Sequence, residues 1–129
     1  MHAVDTNVLV RLLTGDDVTQ TKRVAALFTK EAIYIPKTVL LETEWVLRRL
    51  YGLERKAVTS AFRKVAGLAN VEIENPLVIT QALQWCDGGM DFADALHLAS
   101  SRGSEKFATF DVQLKKSAPK DLKQTVVLL

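Results

Sequence analysis

The stretch GGMDFADALHLASSRGSEKFATFD, residues 88–111, decides how the chain folds. Phe92, Ala95, Leu96 and Ala99 recur at helical spacing, which predicts an amphipathic helix with Asp91 and Asp94 at its start. Ser101-Arg102-Gly103-Ser104 stops that helix, and Gly103 suits the left-handed position just past a helix end. Phe107-Ala108-Thr109-Phe110 reads as a short buried strand with Asp111 at its carboxyl end. Helix N-termini and the carboxyl ends of parallel strands are neighbours in an α/β sheet, and such folds place their ligands there. Asp91, Asp94 and Asp111 are therefore expected at one rim.

Working outward, the same pattern recurs upstream. His2-Ala3-Val4-Asp5 is a short strand ending in an acid, and it turns straight into the apolar run Val8-Leu9-Val10 and Leu12-Leu13. Asp5 or Thr6 there is a helix cap, a cation ligand, or both. Gly15-Asp16-Asp17 breaks the chain before a helix over residues 18–30, with Val24, Leu27 and Phe28 inward. Ala32-Ile33-Tyr34-Ile35 is a second strand, closed by Pro36 at the first turn of a helix over residues 37–51. That helix carries Glu42 near its apolar face, while Glu44 is expected toward solvent or a basic neighbour. A half-buried carboxylate needs a partner or a metal, which favours Glu42 for the site.

A further helix over residues 54–68 turns Ala57, Val58, Ala61, Phe62, Val65 and Leu68 inward, with Arg55, Lys56, Arg63 and Lys64 outside. Val71-Glu72-Ile73 alternates as a third strand, and Pro76 opens a helix over residues 77–85. Beyond Asp111 come a short basic helical turn over residues 112–117 and a terminal strand over residues 125–129. Strands alternating with helices predict a mainly parallel sheet with helices on both faces.

A chain of 129 residues fits one domain, 1–129, and the absence of repeats and linkers agrees. No apolar run approaches the ~20 residues of a membrane helix, the N-terminus lacks a signal-peptide layout, and Cys86 is the single cysteine, so a cytoplasmic protein is expected. A net charge of +2 is too small to identify a nucleic-acid partner. Basic pairs at Arg48-Arg49, Arg55-Lys56, Arg63-Lys64 and Lys115-Lys116 have solvated helix faces as their commoner explanation.

Asp5, Glu42, Asp94 and Asp111 come from four separate elements, with Asp91 as a fifth candidate. Carboxylates sharing a rim repel one another, and a divalent cation relieves this. Oxygen-only ligands, with neither cysteine nor clustered histidine, point to Mg²⁺ or Mn²⁺ and away from Zn²⁺. Mg²⁺ keeps waters, one of which serves as nucleophile in hydrolysis of a phosphodiester. Asp91 reads equally as the cap of its helix and Asp111 as the cap of the turn after it. Thr6, Asn7 and Thr109 are placed to hydrogen-bond the carboxylates. His97 is left outside the site, and Trp45 and Trp85 are expected in the core or an interface.

Val4-Asp5-Thr6-Asn7-Val8-Leu9-Val10, Val39-Leu40-Leu41-Glu42-Thr43-Glu44-Trp45-Val46-Leu47, Asp91-Phe92-Ala93-Asp94-Ala95-Leu96 and Thr109-Phe110-Asp111 together resemble the four motifs of the PIN-domain family. Within it they look most like the VapC-type toxins of bacterial toxin–antitoxin pairs. The resemblance implies a PIN-like three-layer α/β/α sandwich with a five-stranded, mainly parallel sheet, and Mg²⁺- or Mn²⁺-dependent endoribonuclease activity. It implies a small VapB-like antitoxin covering the acidic groove and a homodimer; the favoured reading is a toxin-type ribonuclease acting on structured RNA such as tRNA. By position, Asp5, Glu42, Asp94 and Asp111 become the catalytic quartet, Asp5 and Asp94 being the firmest metal ligands. Arg48, Arg49, Arg63 and Lys64 become candidates for RNA phosphate contacts.

Two other readings compete. One is a regulatory module that holds an antitoxin on operator DNA with little catalysis of its own, against which the intact quartet speaks. The other is a phosphatase of the haloacid dehalogenase type, which needs a second Asp where this chain has Asn7.

Overall fold

The computed structural model describes residues 1–129. In chain order the elements are β1 (His2–Ala3), α1 (Thr6–Thr14), α2 (Val18–Lys30), β2 (Ile33–Ile35), α3 (Lys37–Arg49), α4 (Arg55–Ala66), β3 (Val71–Ile73), α5 (Pro76–Asp87), α6 (Phe92–Ser100), β4 (Phe107–Thr109), α7 (Val112–Ser117) and β5 (Val126–Leu128), with a 3₁₀ turn at Lys123–Thr125. They fall into two compact units, residues 1–76 and 77–129.

In the first unit β2 is the middle strand of a parallel sheet ordered β1-β2-β3. His2 stands opposite Ile33, Ile33 opposite Val71, and Ile35 opposite Ile73. Ile33 and Ile35 are fully buried, as befits the strand paired on both edges. Parallel neighbours need a crossover, and the intervening helices supply it. α1 packs on α2 and α3, α3 on α4, and α4 on β3. Leu9, Leu40, Leu47, Val58 and Phe62 fill the core between them, each contributing about 1.5–3 kcal/mol on burial. The Asn70 side-chain amide donates to the carbonyls of Phe28 and Glu31, the latter at 2.8 Å, tying the end of α2 to the entry of β3.

α1 ends at Gly15, whose φ of 64° is left-handed and whose N–H donates to the Arg11 carbonyl at 3.0 Å. A Cβ there meets nothing closer than Thr21 at 4.0 Å, so the cost of a side chain is conformational and not steric. Gly15→Ala is therefore expected to lower stability by about 1 kcal/mol, read as a lower urea midpoint at unchanged slope. An unchanged midpoint would remove the left-handed cap as the reason for glycine here.

In the second unit α6 buries Phe92, Ala95, Leu96, Leu98 and Ala99. β4 and β5 pair in parallel, Phe107 opposite Val126 and Thr109 opposite Leu128. Lys115 of α7 donates from Nζ to the Val126 carbonyl at 2.7 Å, fastening α7 to β5.

Several expectations change. All five strands exist and every pairing is parallel, but they hydrogen-bond as a three-stranded and a two-stranded sheet in place of one five-stranded sheet. β1 bonds only β2 and β4 only β5, so no ladder links the two sets. Gly103 is not left-handed; α6 closes on Ser101, whose N–H donates to the Leu98 carbonyl. Phe110 is 80% exposed, because the strand stops at Thr109 and Phe110 lies in the turn to α7. α4 ends at Ala66, which leaves Leu68 past the helix and 43% exposed.

Candidate active site

In the first unit the chain leaves β1 and enters α1 with Asp5 as N-cap. Asp5 Oδ1 accepts from the Val8 N–H at 3.2 Å, which uses one carboxylate oxygen and fixes the group at the mouth of the helix. Thr6, next along, is buried, and its hydroxyl donates to Glu42 Oε1 across the α1–α3 packing. Glu42 itself is exposed, whereas Glu44 is buried. The sequence reading had these two the other way round. The buried residues of α3 are Leu40, Thr43, Glu44 and Leu47, at i, i+3, i+4, i+7, and Glu42 falls on the opposite stripe with exposed Trp45 and Arg49. Burial of Glu44 is offset by Arg48 one turn on, Nη1 to Oε2 at 3.5 Å. Trp45, expected in core or interface, is 54% exposed in this chain.

In the second unit Asp91 is the N-cap of α6, its Oδ2 accepting from the Asp94 N–H at 3.1 Å. Asp111 ends β4 and caps α7, with Oδ1 accepting from the N–H groups of Gln113 and Leu114 at 2.9 and 3.1 Å. Its own N–H donates to Thr109 Oγ1 at 3.0 Å, so Thr109 meets the main chain of Asp111 and not its carboxylate. Asp94 occupies the first turn of α6, partly buried. Burial first, then the charges of Asp91 and Asp111, push its carboxyl above the usual carboxylate range, while His97 one turn on works the other way. His97, set aside from sequence, thus belongs to the electrostatics of this group; its position three residues after Asp94 in a helix was the available signal. Asn7 is exposed and makes no contact with a carboxylate.

Three of the five acids are helix caps, and each cap uses a single oxygen. The second oxygen of Asp5, Asp91 and Asp111 stays available for a cation or water. No three His, Cys, Asp or Glu side chains stand close enough together to form a ready cage for an ion. The donor set is nonetheless that of a hard cation: Mg²⁺ commonly takes one or two carboxylates and completes its shell with water. Repulsion of Asp94 by Asp91 and Asp111, second to burial in raising its carboxyl, is what a cation would relieve.

An α/β chain with parallel strands and carboxylates at its strand-to-helix turns is the class defined here. A family model described as PIN domain matches residues 3–118, so the chain belongs to the PIN-domain family. Among solved structures it is similar to VapC20 of Mycobacterium tuberculosis, a sarcin–ricin loop cleaving toxin, at 20% identity over 90% of this chain and 94% of that one, with a TM-score of 0.44. A search of curated proteins finds no match. No helix is long and apolar enough to cross a membrane.

Proposed function

We propose that this chain is a Mg²⁺- or Mn²⁺-dependent endoribonuclease, the toxic component of a VapC-type toxin–antitoxin pair, acting in the cytoplasm on RNA. The observation that carries the reading is the acidic group of Asp91, Asp94 and Asp111, in which burial first, and then the charges of Asp91 and Asp111, raise the Asp94 carboxyl above its ordinary range. Membership of the PIN family, spanning all four acid-bearing motifs, supports it. In this reading the two units act as one domain over residues 1–129, and the protein works as a homodimer restrained by a small VapB-like antitoxin.

By their positions in the family's motifs, Asp5, Glu42, Asp94 and Asp111 would hold the cation, with Asp91 as a further candidate ligand. When bound, the ion supplies a water acidified enough to attack a phosphodiester near neutral pH. Thr6 orients Glu42 through its hydroxyl, while Thr109 fixes the main chain at Asp111. Arg49, Arg63 and Lys64 are exposed and are the proposed contacts to RNA phosphates; Glu44 already neutralises part of the charge of Arg48.

The test is incubation of total RNA with purified protein in Mg²⁺, in Mn²⁺ and in EDTA. Discrete fragments that disappear with EDTA support the reading, and the fragment ends identify the target, tRNA included. Intact RNA in both metals, from a folded and antitoxin-free protein, would overturn it. A finer test addresses Thr6. Thr6→Val keeps the shape and removes the donor, so cleavage is expected to fall about tenfold in kcat with KM little changed. An unaltered kcat would show that Glu42 needs no such partner.

A further inference from the structure

Away from the acids, the first unit carries a cleft of about 410 Å³ between α1 and α2. Val24 and Leu27 supply much of its apolar lining, and Asn7, Arg11, Gln20 and Arg23 its polar part; no carboxylate lines it. We infer that this cleft binds a phosphodiester of a single-stranded RNA segment next to the cleaved bond. The inference rests on the ribonuclease reading and extends it to a substrate contact.

The argument is one of donors held in place. Arg11 donates from Nε to Gln20 Oε1 at 2.7 Å and from Nη1 to Asp16 Oδ1 at 3.0 Å, so its fork is fixed from behind. Asp16 lies outside the lining and is itself committed, accepting from Tyr51 OH and from Thr14 Oγ1 at 3.0 Å. Arg11 keeps Nη2 for a ligand. Gln20, with its oxygen engaged by Arg11, presents its amide N–H groups as the free polar end. Arg23 is exposed and has no partner in the protein, and neither does Asn7. Arg23 supplies the unpaired guanidinium, and Arg11, whose charge Asp16 already neutralises in part, supplies positioned N–H donors; with two amides beside an apolar wall they suit an anion attached to a less polar body, as a phosphate is attached to ribose and base. The volume is that of a small-ligand site.

Position favours RNA over an acidic peptide as the occupant. Asn7 and Arg11 lie on the same helix that Asp5 caps. Arg11 is six residues beyond Asp5, about 9 Å along the helix axis. A strand whose phosphate sits at Arg11 and Arg23 therefore reaches the Asp5 end of α1 within one or two nucleotides.

The experiment measures binding of a fluorescent single-stranded RNA oligonucleotide in EDTA as a function of salt, for the intact chain and for Arg23→Ala, Gln20→Glu and Lys22→Ala. Arg23→Ala is expected to weaken binding about three- to tenfold at low salt and to reduce the slope of log K against log salt by about 0.7, the value for one phosphate contact on a single strand. Gln20→Glu preserves the acceptor for Arg11 and introduces a negative charge into the cleft, so it is expected to weaken binding further. Lys22→Ala removes the same charge from α2 outside the cleft and is expected to leave the slope unchanged. Equal effects of Arg23→Ala and Lys22→Ala would reduce the cleft to long-range attraction and overturn the inference. So would an unchanged RNA slope accompanied by weakened binding of polyglutamate to Arg23→Ala, which would assign the cleft to an acidic protein segment. Cleavage of RNA by the intact chain together with unaltered binding by the variants would sink this inference alone. Absence of both cleavage and binding in the intact chain would sink it together with the ribonuclease reading.

Discussion

Asp5→Asn and Asp94→Asn are each expected to lower RNA cleavage by about 10²–10⁴-fold, the range associated with removing a group that handles the reacting water. The choice of asparagine isolates charge from fold. Asp5 caps α1 through a single oxygen, and asparagine caps a helix as well as aspartate does, so α1 and its Thr6–Glu42 contact remain. Asp94 is not a cap; it receives Asp91 at its main-chain N–H, which asparagine leaves untouched. Loss of activity with an unchanged circular dichroism spectrum then reports the carboxylate itself. Asp111→Asn keeps the α7 cap by the same logic and is expected to behave similarly. Asp91→Asn is the informative contrast. As a cap and only an additional ligand it should lose less activity than Asp94→Asn, whereas activity lost in Asp91→Asn and kept in Asp94→Asn would exchange their roles.

The three capping acids were legible as caps because each sits at an element boundary that punctuation marks. Asp5, Asp91 and Asp111 follow or precede apolar runs, and the turn chemistry that makes them caps is local. The α6 face was equally plain, since Phe92, Ala95, Leu96 and Ala99 are all buried as their spacing requires. What failed is what depends on rotation by one or two residues about a helix axis. On α3, Leu40 and Leu47 fix the buried stripe, and Thr43 and Glu44 lie within it. Weighting Trp45 as apolar turned the helix the wrong way, placing Glu42 inward and Glu44 outward. The Arg48–Glu44 pair helps to make the true orientation acceptable, and an i,i+4 ion pair in sequence is compatible with either face. Strand partnering was illegible for a different reason. Strands of two or three residues carry too few alternating positions to specify neighbours, so five parallel strands were readable and their division into three and two was not. The α1–α2 cleft had no sequence signal, because Arg11, Gln20 and Arg23 come together only through the packing of two helices.

Asp94 carries a second consequence, in stability and with opposite signs for the bare and the cation-loaded protein. Its carboxyl is raised in the folded chain by burial and by Asp91 and Asp111. A folded state that holds the proton more tightly than the unfolded state is favoured at low pH and loses that advantage as pH rises through the raised value. At neutral pH, therefore, ionised Asp94 opposes folding of the metal-free protein, and Asp94→Asn is expected to raise its Tm by about 1–3 °C in EDTA, with the gain shrinking toward pH 4. A cation reverses the balance. Mn²⁺ at a hundred times its Kd contributes about 2.7 kcal/mol to a protein that binds it only when folded, about 10 °C in a domain of this size. That gain is expected in the intact chain and largely absent in Asp94→Asn, so the two melting curves should change order between EDTA and Mn²⁺. Thermal melts of both proteins in the two buffers read this directly. An equal Mn²⁺ shift in both would move the cation away from Asp94, and a lower Tm of the variant in EDTA would mean that Asp94 supports the fold through contacts stronger than the repulsion it suffers. The crossing of the curves is the signature of a residue kept for its charge at a cost to the empty fold.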